Sequence, residues 1–262
     1  VAEQNEKLRL GGMALRNGLL VHGPEHWAAA VRREDGTIAV ASGPKLALRG
    51  RAGAIPGVRG VLRLTEAVAV IPMVKRALPE ARLPFDDALV VAVMAAAATA
   101  GAVMRRRAPG FAGEAAVAAI SLAPSLVALR GGELAAYHGV EHKAIGAYEQ
   151  GAADARDATK EHDRCGSHLV APLLAANLAG TALLRRTVDN PSPLAGAAVQ
   201  LASIGAAVEV FAWSERHGDT ALARALRRPG HELQRVFGTR EPTNEQLEVG
   251  RAALTEILRV ES

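Results

Sequence analysis

Four apolar runs, each closed by arginine, constrain this chain more than any other feature. They are 86-DDALVVAVMAAAATAGAVM-104 before Arg105-Arg106-Arg107, 115-AAVAAISLAPSLVAL-129 before Arg130, 169-LVAPLLAANLAGTALL-184 before Arg185-Arg186, and 194-LAGAAVQLASIGAAVEVFAW-213 just before Glu215-Arg216. A spanning helix needs about 20 mostly apolar residues. These runs are at or slightly below that length. Alanine is only weakly lipophilic, so four buried helices of a soluble bundle are the competing reading. Arginines directly at the run ends favour the membrane, as do the small residues that let helices approach closely in lipid. The expected fold is mainly α: a multi-spanning membrane helix bundle of about four spans, with a small N-terminal β-hairpin region and a C-terminal amphipathic helix. The expected division is 1–56 for the β region, 57–216 for the bundle with a loop at 131–167, and 217–262 for the C-terminal segment.

With four spans, the N-terminal region, the 131–167 loop and the C-terminal segment share one side of the membrane. The lone thiol, Cys165, argues that this side is cytoplasmic. The arginines in the two short hairpin loops argue the reverse. One cysteine excludes an internal disulfide. The formal charge of +4 over 262 residues is too small to point to nucleic acid, and no such partner is expected. The polar start at Val1 does not read as a signal peptide.

Within the β region, 27-WAAAVRRE-34 and 37-TIAVAS-42 flank Asp35-Gly36, which predicts a hairpin closed by a tight I′ turn. Gly11-Gly12 and 22-HGP-24 read as turn punctuation. The hairpin is expected to be a platform. The stretch 57–78 predicts a helix with Val58, Leu62, Ala69 and Met73 on one face and a kink at Pro72, suited to a membrane interface. Near the C-terminus, Thr243 and Gln246 form a capping-box pattern ahead of an amphipathic helix. Its apolar face carries Leu247, Leu254 and Leu258, with Ala253 and Ile257 beside them.

The chemistry concentrates in 137-YHGVEHKAIGAYE-149. On a helix, His138 and His142 lie one turn apart and point the same way, so they can grip one metal ion. Glu141 sits beside them, where it can take a proton from activated water. The order His-x-x-Glu-His is that of inverted zincins, and neutral imidazole suits zinc. Gly139 weakens the helix unless another element approaches it closely. His162, Cys165 and His168 follow in 160-KEHDRCGSHL-169, and a thiolate is a strong zinc ligand. Glu209 lies inside the fourth run, where a carboxylate needs a partner. A metal is one such partner, so Glu209 is a candidate ligand. Lys143 and Arg164 can stabilise negative charge, and Tyr148 can donate a proton. His22, His26, His217 and His231 read as surface residues.

In four blocks the chain resembles the YqhQ-like family of bacterial membrane proteins, a family of unknown function described as predicted metal-dependent enzymes. The blocks are 10-LGGMALRNGLLVHGPEHWAAAVR-32, 137-YHGVEHKAIGAYE-149, 162-HDRCGSHL-169 and 239-TREPTNEQLEVGRAAL-254. The resemblance places the family's Tyr-His-Gly-x-Glu-His-Lys pattern on Tyr137, His138, Gly139, Glu141, His142 and Lys143. It places the His-x-Arg-Cys-Gly block on His162, Arg164, Cys165 and Gly166, and the late membrane glutamate on Glu209. Met13, Asn17, Ala147 and Asp163 depart from the pattern. The resemblance implies a bacterial inner membrane crossed several times, and a metal.

The combined expectation is a zinc-dependent hydrolase at the membrane surface, acting on an amide or ester of a peptide or lipid. Glu141 is its base, and His138, His142, Cys165, His162 and Glu209 are its candidate ligands. Three rivals remain. One is a scaffold with a structural zinc site filled by His138, His142, Cys165 and His162. Another is a transporter with Glu209, Asn177 and Gln200 along its path. The third, a di-iron oxygenase, needs more histidines than the chain offers.

Overall fold

The structure is a computed structural model that describes residues 7–46, 51–108 and 110–262. The parts of the expected β region at 1–6 and 47–50 lie outside the described residues. Four strands, β1 (Gly11–Leu15), β2 (Gly18–His22), β3 (His26–Arg32) and β4 (Ile38–Pro44), form an antiparallel meander in the order β1-β2-β3-β4. The expected hairpin is β3–β4. Its turn is not type I′, because Gly36 has φ +84° while no non-glycine residue among the described residues has positive φ. The turn closes through Gly36 N–H to Arg33 O and Arg33 N–H to Thr37 O, so the single left-handed position falls on the glycine. Gly11 and Gly12 are not a turn. They open β1, a strand that lies on the edge of the sheet.

Alternation along the strands gives the sheet two apolar faces. Ala14, Leu19, Val21, Ala28 and Ala30 pack on helices α5 (Glu133–Gln150) and α9 (Asn244–Glu261). Leu15, Leu20, Trp27, Ala29 and Val31 pack on helix α1 (Val58–Ala77) through Val70 and Val74. The sheet, α5 and α9 therefore share one core, although they are far apart in the chain. Helix α1 runs unbroken through Pro72 and buries Gly60, Val70 and Val74, a face rotated from the expected one. The Thr243–Gln246 capping box is present. The buried centre of α9 is Leu247, Gly250, Ala253 and Ile257, while Leu254 and Leu258 flank it half-buried.

Four helical stretches are long and apolar enough to cross a membrane: Ala88–Arg107, Phe111–Leu129, Gly166–Thr187 and Pro193–Arg216. Between 6% and 17% of their apolar stretches is buried inside the protein, so most of each surface needs an apolar solvent. The first and last correspond to α2 (Ala88–Arg107) and α7 (Pro193–Arg216), and the third ends in α6 (Val170–Thr187). The second is divided into α3 (Phe111–Ile120) and α4 (Ala123–Leu129). Pro124 accounts for the break, because it lacks an N–H and its ring crowds the preceding turn.

One tie between the helices escaped the sequence reading. Glu114 at the start of α3 is buried and receives Arg105 of α2 at 3.1 Å and Arg185 of α6 at 2.9 Å. One carboxylate thus joins the two helical hairpins at their turn end.

Candidate metal centre

Helix α5 is buried on nearly every side, including its polar residues Glu141, His142 and Lys143. Helix α9 reaches it closely, and the 238–242 segment crosses it at Gly139. A Cβ at Gly139 would lie 2.2 Å from Arg240 O, so the glycine is required by close approach. Short 3-10 turns and an extended loop then bring residues 155–169 back along α5.

His138, His142 and Cys165 meet there, each with one donor atom within 4.8 Å of the others. His138 Nδ1 lies 2.8 Å from Gly238 O, and His142 Nδ1 lies 2.6 Å from Lys160 O. A carbonyl only accepts, so both Nδ1 atoms carry a proton and both Nε2 atoms face inward. His138 Nε2 lies 3.3 Å from Cys165 Sγ. His142 Nε2 is buried and has no hydrogen-bond partner among the described residues. An orphaned buried acceptor is costly. Imidazoles oriented by backbone carbonyls are the usual arrangement of metal-ligating histidines. The donor set of two imidazole nitrogens and one sulfur suits zinc. Cys165 Sγ also accepts from Ser167 N–H at 3.5 Å.

Burial and the neighbouring His138 charge push His142 down to about 2, so it is neutral at ordinary pH. Burial also works against a charge on His138. The Cys165 thiol, the Glu141 charge and the Gly238 carbonyl outweigh it and raise the group to about 9. Without a metal, His138 thus holds a proton that a metal must displace. Burial raises Glu141 above the usual carboxylate range, against the pull of His138 and His162.

Glu141 lies beside the triad and lies across β1. A Cβ on Gly12 would stand 2.6 Å from its Cγ, and one on Gly11 would stand 2.7 Å from the His22 ring. The two glycines therefore let two ionisable side chains lie across the strand, and the β region is a wall of the site as well as a platform. His22 is not a surface residue: it is half-buried, and burial with nearby Lys45 lowers it to about 4. His26 is half-buried too, whereas His217 and His231 are exposed. A cavity of about 580 Å³ joins these groups, with Glu141, His138, Cys165, His162, Arg164 and His22 in its lining.

The remaining candidates are distributed differently. His162 lines the cavity, but its Nε2 pairs with Glu149 at 3.1 Å and its Nδ1 accepts from Arg164 N–H at 3.3 Å. It stands near the triad without joining it. Glu209 is not brought to the histidines. It accepts from Gly57 N–H at 2.9 Å and Arg59 Nε at 2.7 Å, and so ties α7 to α1. Gln200 lies by Arg105 and Glu114 at the turn end. Lys143 points away from the cavity, bonding Ala158 O at 2.8 Å and Glu241 at 2.7 Å. The Tyr148 hydroxyl accepts from Leu8 N–H at 2.9 Å and anchors the N-terminal segment. Arg164 does line the cavity, paired with Glu149.

Sequence reasoning missed Gln234. It is fully buried at the junction of helix α8 (Ala221–Leu233) and a π-helical turn, Gln234–Gly238. It accepts from His162 N–H at 2.7 Å and donates to Ser167 Oγ at 2.8 Å, fixing the Cys165 loop. The π turn it begins ends at Gly238, whose carbonyl orients His138.

Residues 132–260 match a family described as a protein of unknown function, DUF1385. The chain is also 29% identical over 136 residues to the uncharacterized protein YqhQ of Bacillus subtilis (strain 168), which covers 48% of this chain and 41% of that protein. The match thus spans less than half of that relative's length. No solved structure matches the chain. Residues 132–260, which carry all three donors of the triad, are therefore the part of the chain that is similar to this family of unknown function.

Proposed function

We propose that the protein is a membrane-embedded zinc-dependent hydrolase working at the membrane surface, with His138, His142 and Cys165 as ligands and Glu141 as general base. The observation that carries this reading is the buried, partnerless His142 Nε2, aimed at the same point as His138 Nε2 and Cys165 Sγ. Bound there, zinc would supply Lewis-acid activation, lowering the pKa of water to about 7. Glu141 takes the proton from the attacking water and returns it to the leaving group. Arg164, which lines the same cavity, attracts the negative charge that develops on the substrate. The substrate is an amide or ester of a peptide or lipid, and the setting is a bacterial inner membrane crossed several times.

An open fourth position distinguishes a catalytic zinc site from a structural one. Among the described residues three donors converge, and both ring nitrogens of His162 are engaged elsewhere. This favours hydrolysis over a scaffold with a closed zinc site.

The test is metal content by mass spectrometry on detergent-purified protein, followed by turnover of quenched fluorescent peptides and p-nitrophenyl esters. Zinc near one equivalent is expected in the wild type, and its loss in His138→Ala/His142→Ala. Glu141→Gln should keep the zinc and lose turnover. Turnover retained by that variant would remove the base assignment, and absence of metal from the wild type would remove the reading. The Cys165–His138 contact permits a metal-free thiol nucleophile as a second reading. Activity blocked by alkylation but indifferent to chelators would favour it.

A further inference from the structure

The edge of the sheet runs into the cavity of the candidate metal centre. Gly12 and Ala14 of β1 line it, beside Glu141 and His138. In an antiparallel ladder, successive residues direct their N–H and C=O groups to opposite edges. Asn17 O accepts from Arg32 N–H at 2.8 Å, so Asn17, Leu19 and Val21 of this stretch face β3. Their neighbours Gly18, Leu20 and His22 then face β1, where they pair with Leu15, Met13 and Gly11. Gly12 and Ala14 are left facing away from the sheet. Arg16 shares their side and confirms the parity, since its N–H reaches outward to Arg82 O at 2.8 Å. Beyond Arg16 the edge is closed. At Gly12 and Ala14 no partner for the outward groups exists among the described residues.

Unpaired backbone groups on a half-buried strand need a partner. The position of these two selects its chemistry. They repeat every two residues, about 7 Å along the strand. An extended peptide presents N–H and C=O groups at that repeat, whereas a lipid ester offers no such ladder. Pro84, Ala128 and Leu129 line the same cavity and offer apolar contacts for side chains. Helix α5 brings Glu141 against Gly12 itself, so a strand paired there would lie along the base.

We propose that the substrate is an extended peptide that adds to the free edge of β1, pairing its backbone with Gly12 and Ala14 so that an amide is carried to Glu141. This deepens the hydrolase reading and rests on it. The reaction is amide hydrolysis: water adds to the carbonyl carbon, the C–N bond breaks, and Glu141 passes the water's proton to the leaving amine. The strand pairing itself is binding and involves no bond change.

The test uses the zinc-loaded full chain in detergent and three probes: acetohydroxamate, a Leu-Ala-Leu peptide ending in a hydroxamate, and the same peptide with its backbone amides N-methylated. All three carry the metal-binding group, and only the second can pair with the edge. The unmodified peptide is expected to bind at least about tenfold tighter than its methylated twin, the worth of one or two backbone hydrogen bonds. It should also slow hydrogen exchange at the Gly12 and Ala14 amides. In Ala14→Pro, which removes one outward N–H from an edge position where proline is tolerated, the two peptides should bind alike. Equal binding of both peptides to the wild type, with acetohydroxamate still bound, would overturn strand addition and leave the hydrolase reading standing. A wild type that takes up no zinc on loading and binds none of the three probes would instead overturn the hydrolase reading and the inference with it.

Discussion

Gly12→Ala is a small change with an outcome opposite to the usual one. Replacing glycine in a strand by alanine normally stabilises, by about 0.5–1 kcal/mol, because the unfolded chain loses freedom. Here the new Cβ would stand 2.6 Å from Glu141 Cγ and 2.7 Å from its Cδ and Oε1. Those separations are about 1 Å inside van der Waals contact. Glu141 cannot retreat freely, because the helix that carries it is buried on nearly every side. Overpacking of this kind costs about 1–3 kcal/mol. The assay is a double-mutant cycle with Glu141→Ala, followed by unfolding in mixed micelles. Gly12→Ala alone should destabilise by about 1–3 kcal/mol, and in the Glu141→Ala background its cost should fall below about 0.5 kcal/mol. The zinc content of Gly12→Ala should stay at the wild-type level, since the triad does not touch Gly12. Hydrolysis should fall by about 100-fold, the usual consequence of moving a base by an ångström. Additive effects in the cycle, or a stabilised Gly12→Ala, would refute the packing of the glycine edge on Glu141.

Other perturbations read other parts of the structure. His22 is lowered from 6.5 to about 4, so the unfolded chain binds more protons than the native one between those values. Stability should fall by about 3 kcal/mol as pH drops from 6.5 to 4, a loss that His22→Leu should remove; an unchanged pH–stability curve in that variant would contradict the burial of this ring. Gln234→Ala should weaken zinc binding by about 10–100-fold in chelator competition, because it frees the loop that carries Cys165. Glu114→Gln should lower the unfolding free energy by about 1–3 kcal/mol, since Arg105 and Arg185 lose their shared carboxylate but stay partly solvated. Glu209→Gln should leave zinc content unchanged while loosening α1, measured as faster hydrogen exchange over Val58–Ala77.

The spans, the β3–β4 hairpin, the α9 cap and the histidine pair were legible because each rests on local spacing. Runs of about 20 apolar residues, an Asp-Gly step, a Thr-x-x-Gln box and two histidines one turn apart carry their geometry with them. What the sequence did not disclose depends on backbone atoms and distant neighbours. The acceptors that orient His138 and His142 are the carbonyls of Gly238 and Lys160, and a carbonyl has no letter in the sequence. Gly11-Gly12 has the composition of a turn. Only the approach of Glu141 and His22 shows why a strand needs two glycines there. Glu209 has the chemistry of a ligand and of an ion-pair partner alike, and the packing of α1 on α7 decides for Arg59. The face of α1 turned out rotated because Gly60 meets Val208, a contact that periodicity within one helix cannot register.

The central claim is a site of three protein ligands with one position open. X-ray absorption at the zinc edge on the purified, zinc-loaded chain tests it most directly. The account predicts one sulfur at about 2.3 Å and about three nitrogen or oxygen neighbours at about 2.0–2.1 Å. One of those light neighbours should be exchangeable for a hydroxamate. A sulfur-free shell, a fourth protein ligand that no hydroxamate displaces, or a chain that retains no zinc at all would contradict it.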